Sequence, residues 1–148
     1  MARKDPLAYD KVMKLLALAI LTLVSLAQPV MSQSRSMGAT QDYNNGLAAW
    51  IRGDHETALA HFKPLAHIGH TEAQYNLFAM YNSGKGFSKD NVMAYVWLTI
   101  AARNGHKLAD YLDEKFAVKF LDETQIKRAQ ALVKLCVKKP TSCPKHSD

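Results

Sequence analysis

The sequence predicts an all-α protein, a short α-solenoid of stacked helical hairpins with a capping helix at its C-terminal end. Three observations predict it. Ile68-Gly69-His70 recurs 36 residues later as Asn104-Gly105-His106, and counting back from each, Leu59 matches Tyr95, Phe62 matches Leu98 and Ala66 matches Ala102. Further upstream the offset is 31, which pairs Asn45 with Asn76, Ala48 with Ala79 and Trp50 with Tyr81. The extra residues therefore fall in the loop from Gly84 to Asp90, where a helical hairpin tolerates insertion. Finally, apolar residues recur at three- and four-residue spacing, the inward stripe of an amphipathic helix. Hairpins of this kind bury their apolar faces on one another.

Before the repeats comes a segment of another kind. Leu15 to Leu26 is a 12-residue apolar run preceded by Lys11 and Lys14 and followed by small and polar residues. That order is the layout of a secretory signal peptide over residues 1–32. The run is shorter than the roughly 20 residues a membrane-spanning helix needs, although an uncleaved anchor is the alternative. Small residues place cleavage after Ala27 or after Ser32. Asp5 and Asp10 are unusual in such a segment, whereas a chain starting at Met13 would read MKLLALAILTLVSLA. The expected location is periplasmic or secreted, with no integral membrane segment once the signal is removed. Residues 33–41 are expected to be flexible, and the repeat domain to span residues 42–138.

Within that domain the hairpins are read as residues 42–70 and 71–106, followed by a capping region over 107–138. Asp54 and Asp90 stand where a helix N-cap is needed, and Gly69 and Gly105 where a helix closes. Ala94, Trp97, Leu98 and Ala101 form the core stripe of the second hairpin's second helix. Lys107 to about Lys119 carries Leu108, Tyr111, Leu112 and Phe116 at helical spacing. Asp122 and Gln125 have the spacing of a capping box before a last helix, whose inward stripe is Ile126, Ala129, Leu132, Val133 and Cys136. A tail over residues 139–148 follows and is expected to be flexible.

Composition fits one small globular domain: 148 residues, 48% hydrophobic and 22% charged. From Gln33 onward there are 15 Lys and Arg against 11 Asp and Glu, a net charge of +4. The excess is C-terminal, because Lys127, Arg128, Lys134, Lys138, Lys139 and Lys145 meet no acid between Thr124 and Ser147. Such a helix is either a solvated face or a patch for anionic polymers or membrane surfaces.

The stretch Ala73-Gln74-Tyr75-Asn76-Leu77, Tyr81-Asn82-Ser83-Gly84-Lys85-Gly86, Asp90, Ala94, Trp97 and Ala101-Ala102-Arg103-Asn104-Gly105-His106 resembles a Sel1-like repeat, a relative of tetratricopeptide repeats with a glycine-rich hairpin loop. Gly46 to Asp54 resembles the shortened first repeat common in exported bacterial members. The likeness covers roughly residues 42–136, with one departure at Phe78, where the family usually has glycine. The resemblance implies a non-catalytic scaffold or regulator that binds a protein or peptide of the cell envelope, its identity unspecified. By analogy, the first helix of each hairpin lines the binding groove. Asn45 and Asn76 would point into it, with Asn44, Tyr75 and Asn82 as neighbours; capping or packing is the alternative role for the two asparagines. Cysteine-rich relatives are associated with penicillin-binding or β-lactamase activity, but they carry paired cysteines inside each repeat, which this chain lacks.

Catalytic and cofactor motifs are not apparent. His55, His61, His67, His70 and His106 are numerous, but no convergent carboxylate or thiol completes a four-ligand metal site. Gly84-Lys85-Gly86 is shorter than a phosphate-binding loop and joins two helices rather than a strand and a helix. No cofactor is expected, and no nucleic-acid partner. In an oxidising compartment Cys136 and Cys143 would pair and staple the tail to the capping helix; two free thiols are the alternative.

Overall fold

The computed structural model describes Lys14 and residues 37–144. Apart from Lys14, the segment read as a signal, with both cleavage points and the start at Met13, lies outside these residues, as do residues 145–148. Two compact units divide the chain, residues 1–39 and residues 40–148. The second holds the helical stack.

Among the described residues there are helices and no strands. Helix α1 covers 37–51, α2 His55–His67, α3 Thr71–Ser83, α4 Asn91–Arg103, α5 Lys107–Phe120 and α6 Glu123–Lys138, and a short 3-10 turn occupies Pro140–Ser142. Residues 37–41 are thus helical where the sequence suggests a flexible segment. No proline interrupts them, and the Gln41 amide donates to Asn45 Oδ1 one turn on, at 3.1 Å.

Local chemistry sets the boundaries. The Asp54 carboxylate accepts from the Thr57 N–H, and Asp90 from the Met93 N–H, so α2 and α4 each start on a capped turn. Gly69 and Gly105 take the left-handed conformation after α2 and α4, with φ of 94° and 91°. Asp122 and Gln125 form a reciprocal capping box at the start of α6.

Helix α4 is the centre of the stack. From Val92 through Ala101 every residue except Tyr95 is buried, because α3, α5 and α6 all pack on it. A helix enclosed this way is apolar on nearly every side. Trp97 is 4% exposed, as its place in the core stripe requires.

Helix α5 departs from the sequence reading. Leu108 and Tyr111 are exposed and Leu112 is half-buried; the inward stripe is Ala109, Asp113, Phe116 and Ala117. The two alanines let α5 approach α4 closely, and on the same face Asp113 accepts a hydrogen bond from the Thr99 hydroxyl at 2.5 Å. In α6, Ala129, Val133 and Cys136 are buried as read, whereas Ile126 and Leu132 flank the seam half-buried.

The departure at Phe78 has a structural counterpart. In the first hairpin Gly46 lies so close to Phe62 that an added Cβ would come within 2.7 Å of that ring. In the second hairpin bulk stands on the first helix instead. Phe78 is buried and meets Phe116 of α5 edge-on, at 5.4 Å between ring centres.

Candidate functional site

The first helices of the two hairpins, α1 and α3, lie side by side. Asn76 Nδ2 donates to the Tyr43 hydroxyl at 3.3 Å. The same tyrosine stacks on His70, with ring centres 4.8 Å apart and planes at 21°. One hairpin later the contact recurs: Tyr75 stacks on His106 at 4.3 Å and 9°. Burial, then the nearby Glu72 charge, raises the Tyr75 phenol above its ordinary value.

The two histidines explain the recurring Gly-His pairs. His70 Nδ1 accepts from the Ala73 N–H at 3.2 Å and His106 Nδ1 from the Ala109 N–H at 3.1 Å, so each imidazole caps the helix that follows it. An Nδ1 that accepts carries no proton, which places the proton of neutral His106 on Nε2. That nitrogen sits 3.2 Å from Glu72 Oε2 and donates to it.

This geometry changes the register of the first helices. Tyr43 and Tyr75 do the same job 32 residues apart, so Asn44, rather than Asn45, is the counterpart of Asn76. Tyr43 is a residue the sequence reading missed; the signal is the Tyr-Asn pair that opens both stretches, 43–44 and 75–76. A third tyrosine, Tyr111, holds the equivalent place in α5, 36 residues after Tyr75. It stands 62% exposed, and Lys115 Nζ lies 3.5 Å from the centre of its ring. That ammonium lowers the Tyr111 phenol.

Of the candidate groove residues, Asn44 and Asn45 are exposed, whereas Tyr75, Asn76 and Asn82 are half-buried. Asn45 accepts from Gln41, and Asn76 ties α3 to α1. The two amides therefore differ: one faces solvent, and the other also holds neighbouring helices in register.

The remaining constellations resolve into packing. Among the described residues, no group of three His, Cys, Asp or Glu converges on a point that could hold a metal. His67 stacks on Trp97, with ring centres 5.8 Å apart. Its Nε2 is buried without a hydrogen-bond partner, and burial, then the charge of Lys63, lowers its pKa. His55 lies 4.8 Å from Trp50, ring to ring.

In the Gly84-Lys85-Gly86 loop, Lys85 Nζ reaches back over Trp50 of the first hairpin, 5.5 Å from the ring. Gly86 has φ 82°, and an added Cβ would collide with the Met80 methyl and crowd the His55 carbonyl at 3.2 Å. The loop therefore sits on the start of α2.

Cys136 and Cys143 are joined, with Cα atoms 4.6 Å apart, and both are buried. A polar cavity of about 230 Å³ opens between α4, α5 and α6, lined in part by Tyr95, Thr99, Arg103, Asp113 and Gln130. Burial raises the Asp113 carboxyl there, against the lowering effects of the Thr99 hydroxyl and Arg103.

Paired antiparallel helices, a repeated cap and a repeated ring stack define a short all-α solenoid of the tetratricopeptide-like kind. Residues 71–106, from the first residue of α3 to the cap of α5, match the Sel1 repeat, so the chain carries a repeat of that family. No curated protein and no solved structure matches the chain.

Proposed function

We propose that this chain is an exported, non-catalytic scaffold or regulator that binds a protein or peptide of the cell envelope across the joined surface of α1 and α3. The Sel1 repeat supports a role in protein–protein interaction. The observation that carries the reading is the Asn76–Tyr43 hydrogen bond, which brings the first helices of two hairpins edge to edge. Asn44 and Asn45 are exposed beside that seam, with Tyr75 and Asn82 half-exposed. An amide both donates and accepts, so such a surface can pair with the backbone of an extended peptide. Export is supported by Lys11 and Lys14, the 12-residue apolar run and the small residues after it.

The test is a crosslinked pull-down from an envelope fraction with the wild-type chain and with Asn44→Ala/Asn45→Ala. The expected result is a discrete partner retained by the first and lost by the second at unchanged melting temperature. Equal recovery by both would overturn the site. For export, mass spectrometry of the native protein should find an N-terminus near Gln28 or Gln33. An intact Met1 or Met13 terminus in a membrane fraction would overturn signal removal.

A further inference from the structure

We propose that the outward ridge of α6 is a docking surface for an anionic lipid bilayer. The inward stripe of α6, Ala129, Val133 and Cys136, faces the stack. Diametrically opposite run Lys127, Ala131, Lys134 and Lys138 at spacings of four, three and four, the repeat of one helical face, and all are exposed. Arg128 and Lys139 stand exposed on one flank. Glu123 is the acid of this helix and bonds Lys127 at 2.9 Å; among the described residues no carboxylate pairs with Arg128, Lys134, Lys138 or Lys139.

Both ends of the ridge are fixed, the start by the Asp122–Gln125 capping box and the end by the Cys136–Cys143 disulfide. The cations are therefore held as an array about 16 Å long, from the rise of an α-helix over the span Lys127 to Lys138. The choice of a bilayer over a linear polyanion rests on the aliphatic neighbours. Leu135 and Val137 flank the ridge 43% and 56% exposed. A cationic ridge flanked on each side by an exposed aliphatic side chain fits an interface that is charged above and apolar below. A polyanion engages charge alone and leaves both side chains in water.

Full-length protein and its Lys134→Gln/Lys138→Gln variant are titrated with vesicles of neutral phosphatidylcholine and with vesicles containing 30% phosphatidylglycerol, so that any contribution of residues 1–32 cancels between the two proteins. The expected result is stronger partitioning to the anionic vesicles that collapses as salt rises. Each cation near an anionic surface strengthens binding about fivefold, so Lys134→Gln/Lys138→Gln should reduce the anionic preference by about 25-fold. Both positions are exposed, so helical circular dichroism should not change. An anionic preference unaltered by the double variant overturns the proposal. Retention on heparin without preference for anionic vesicles overturns it too, and assigns the ridge to a polyanion.

Discussion

The imidazole of His106 lies flat against the phenol of Tyr75 while its Nδ1 holds the first turn of α5 through the Ala109 N–H. One side chain thus starts a helix and fastens that helix to the preceding hairpin. His70 does the same between Tyr43 and the start of α3.

Replacing His106 removes both roles. A lost cap costs about 0.5–2 kcal/mol and a lost ring contact about 0.5–1.5 kcal/mol. His106→Ala should therefore lower the melting temperature by about 10 °C in a domain this size. His106→Asn restores a cap acceptor without the ring and should recover roughly half of that loss by calorimetry. A variant no better than alanine would show that the cap contributes little.

His67 predicts an acid-side loss of stability. Burial, then the charge of Lys63, depresses its pKa in the folded state below the ordinary imidazole value. Between the depressed value and about 6.5 the unfolded chain binds more protons than the folded one, so stability is full above that range and declines as pH falls through it. Thermal melts from pH 7.5 to 5 should show the decline, and His67→Phe should flatten it. Asp113, raised by burial, acts in the opposite sense as pH rises from the acid side, so the difference between wild type and the variant isolates His67.

The two asparagines should separate. Asn45→Ala is expected to change stability by less than about 0.5 kcal/mol, since the amide is exposed. Asn76→Ala removes the bond to Tyr43 and should cost about 0.5–1.5 kcal/mol. Trp97→Ala, at the centre of the stack, should cost about 3–5 kcal/mol through the cavity it leaves. Urea melts of the three variants give the order; equal values for the asparagines would reject the Tyr43 contact.

Reduction should loosen the end of α6. Closing a seven-residue separation restricts the unfolded chain by about 2 kcal/mol. Melting with and without dithiothreitol should differ accordingly, and Cys143→Ser should melt at the reduced value in both conditions. A Cys143→Ser chain that melts with the oxidised wild type would remove the disulfide from any stabilising role.

Much of this was legible in the sequence because it is written locally. Asp54, Asp90 and Asp122 mark helix starts through hydrogen bonds to residues three positions on, and Ala94 to Ala101 repeats with the period of a helix. What was lost depends on partners far along the chain. The inward side of α5 is set by how closely Ala109 and Ala117 let it approach α4, and a pattern weighted toward large apolar residues selects Leu108 and Tyr111 instead. His67 is half-buried because Trp97 offers it a ring 30 positions away. Along the first helices the register of α1 was not legible. The tyrosine's partner at the cap of the next helix decides that register, and Tyr43 finds its partner only in three dimensions.

Tyr43, Tyr75 and Tyr111 form a series in which the first two receive the imidazole that caps the next first helix and the third receives Lys115. The last seat is filled by a movable side chain rather than by a fold, so the array ends without being sealed. Duplication of residues 71–106 within the gene would carry the tyrosine–imidazole joint with it, because Tyr75 and His106 lie in the same copied stretch. Such a lengthened chain should gain two helices and melt cooperatively.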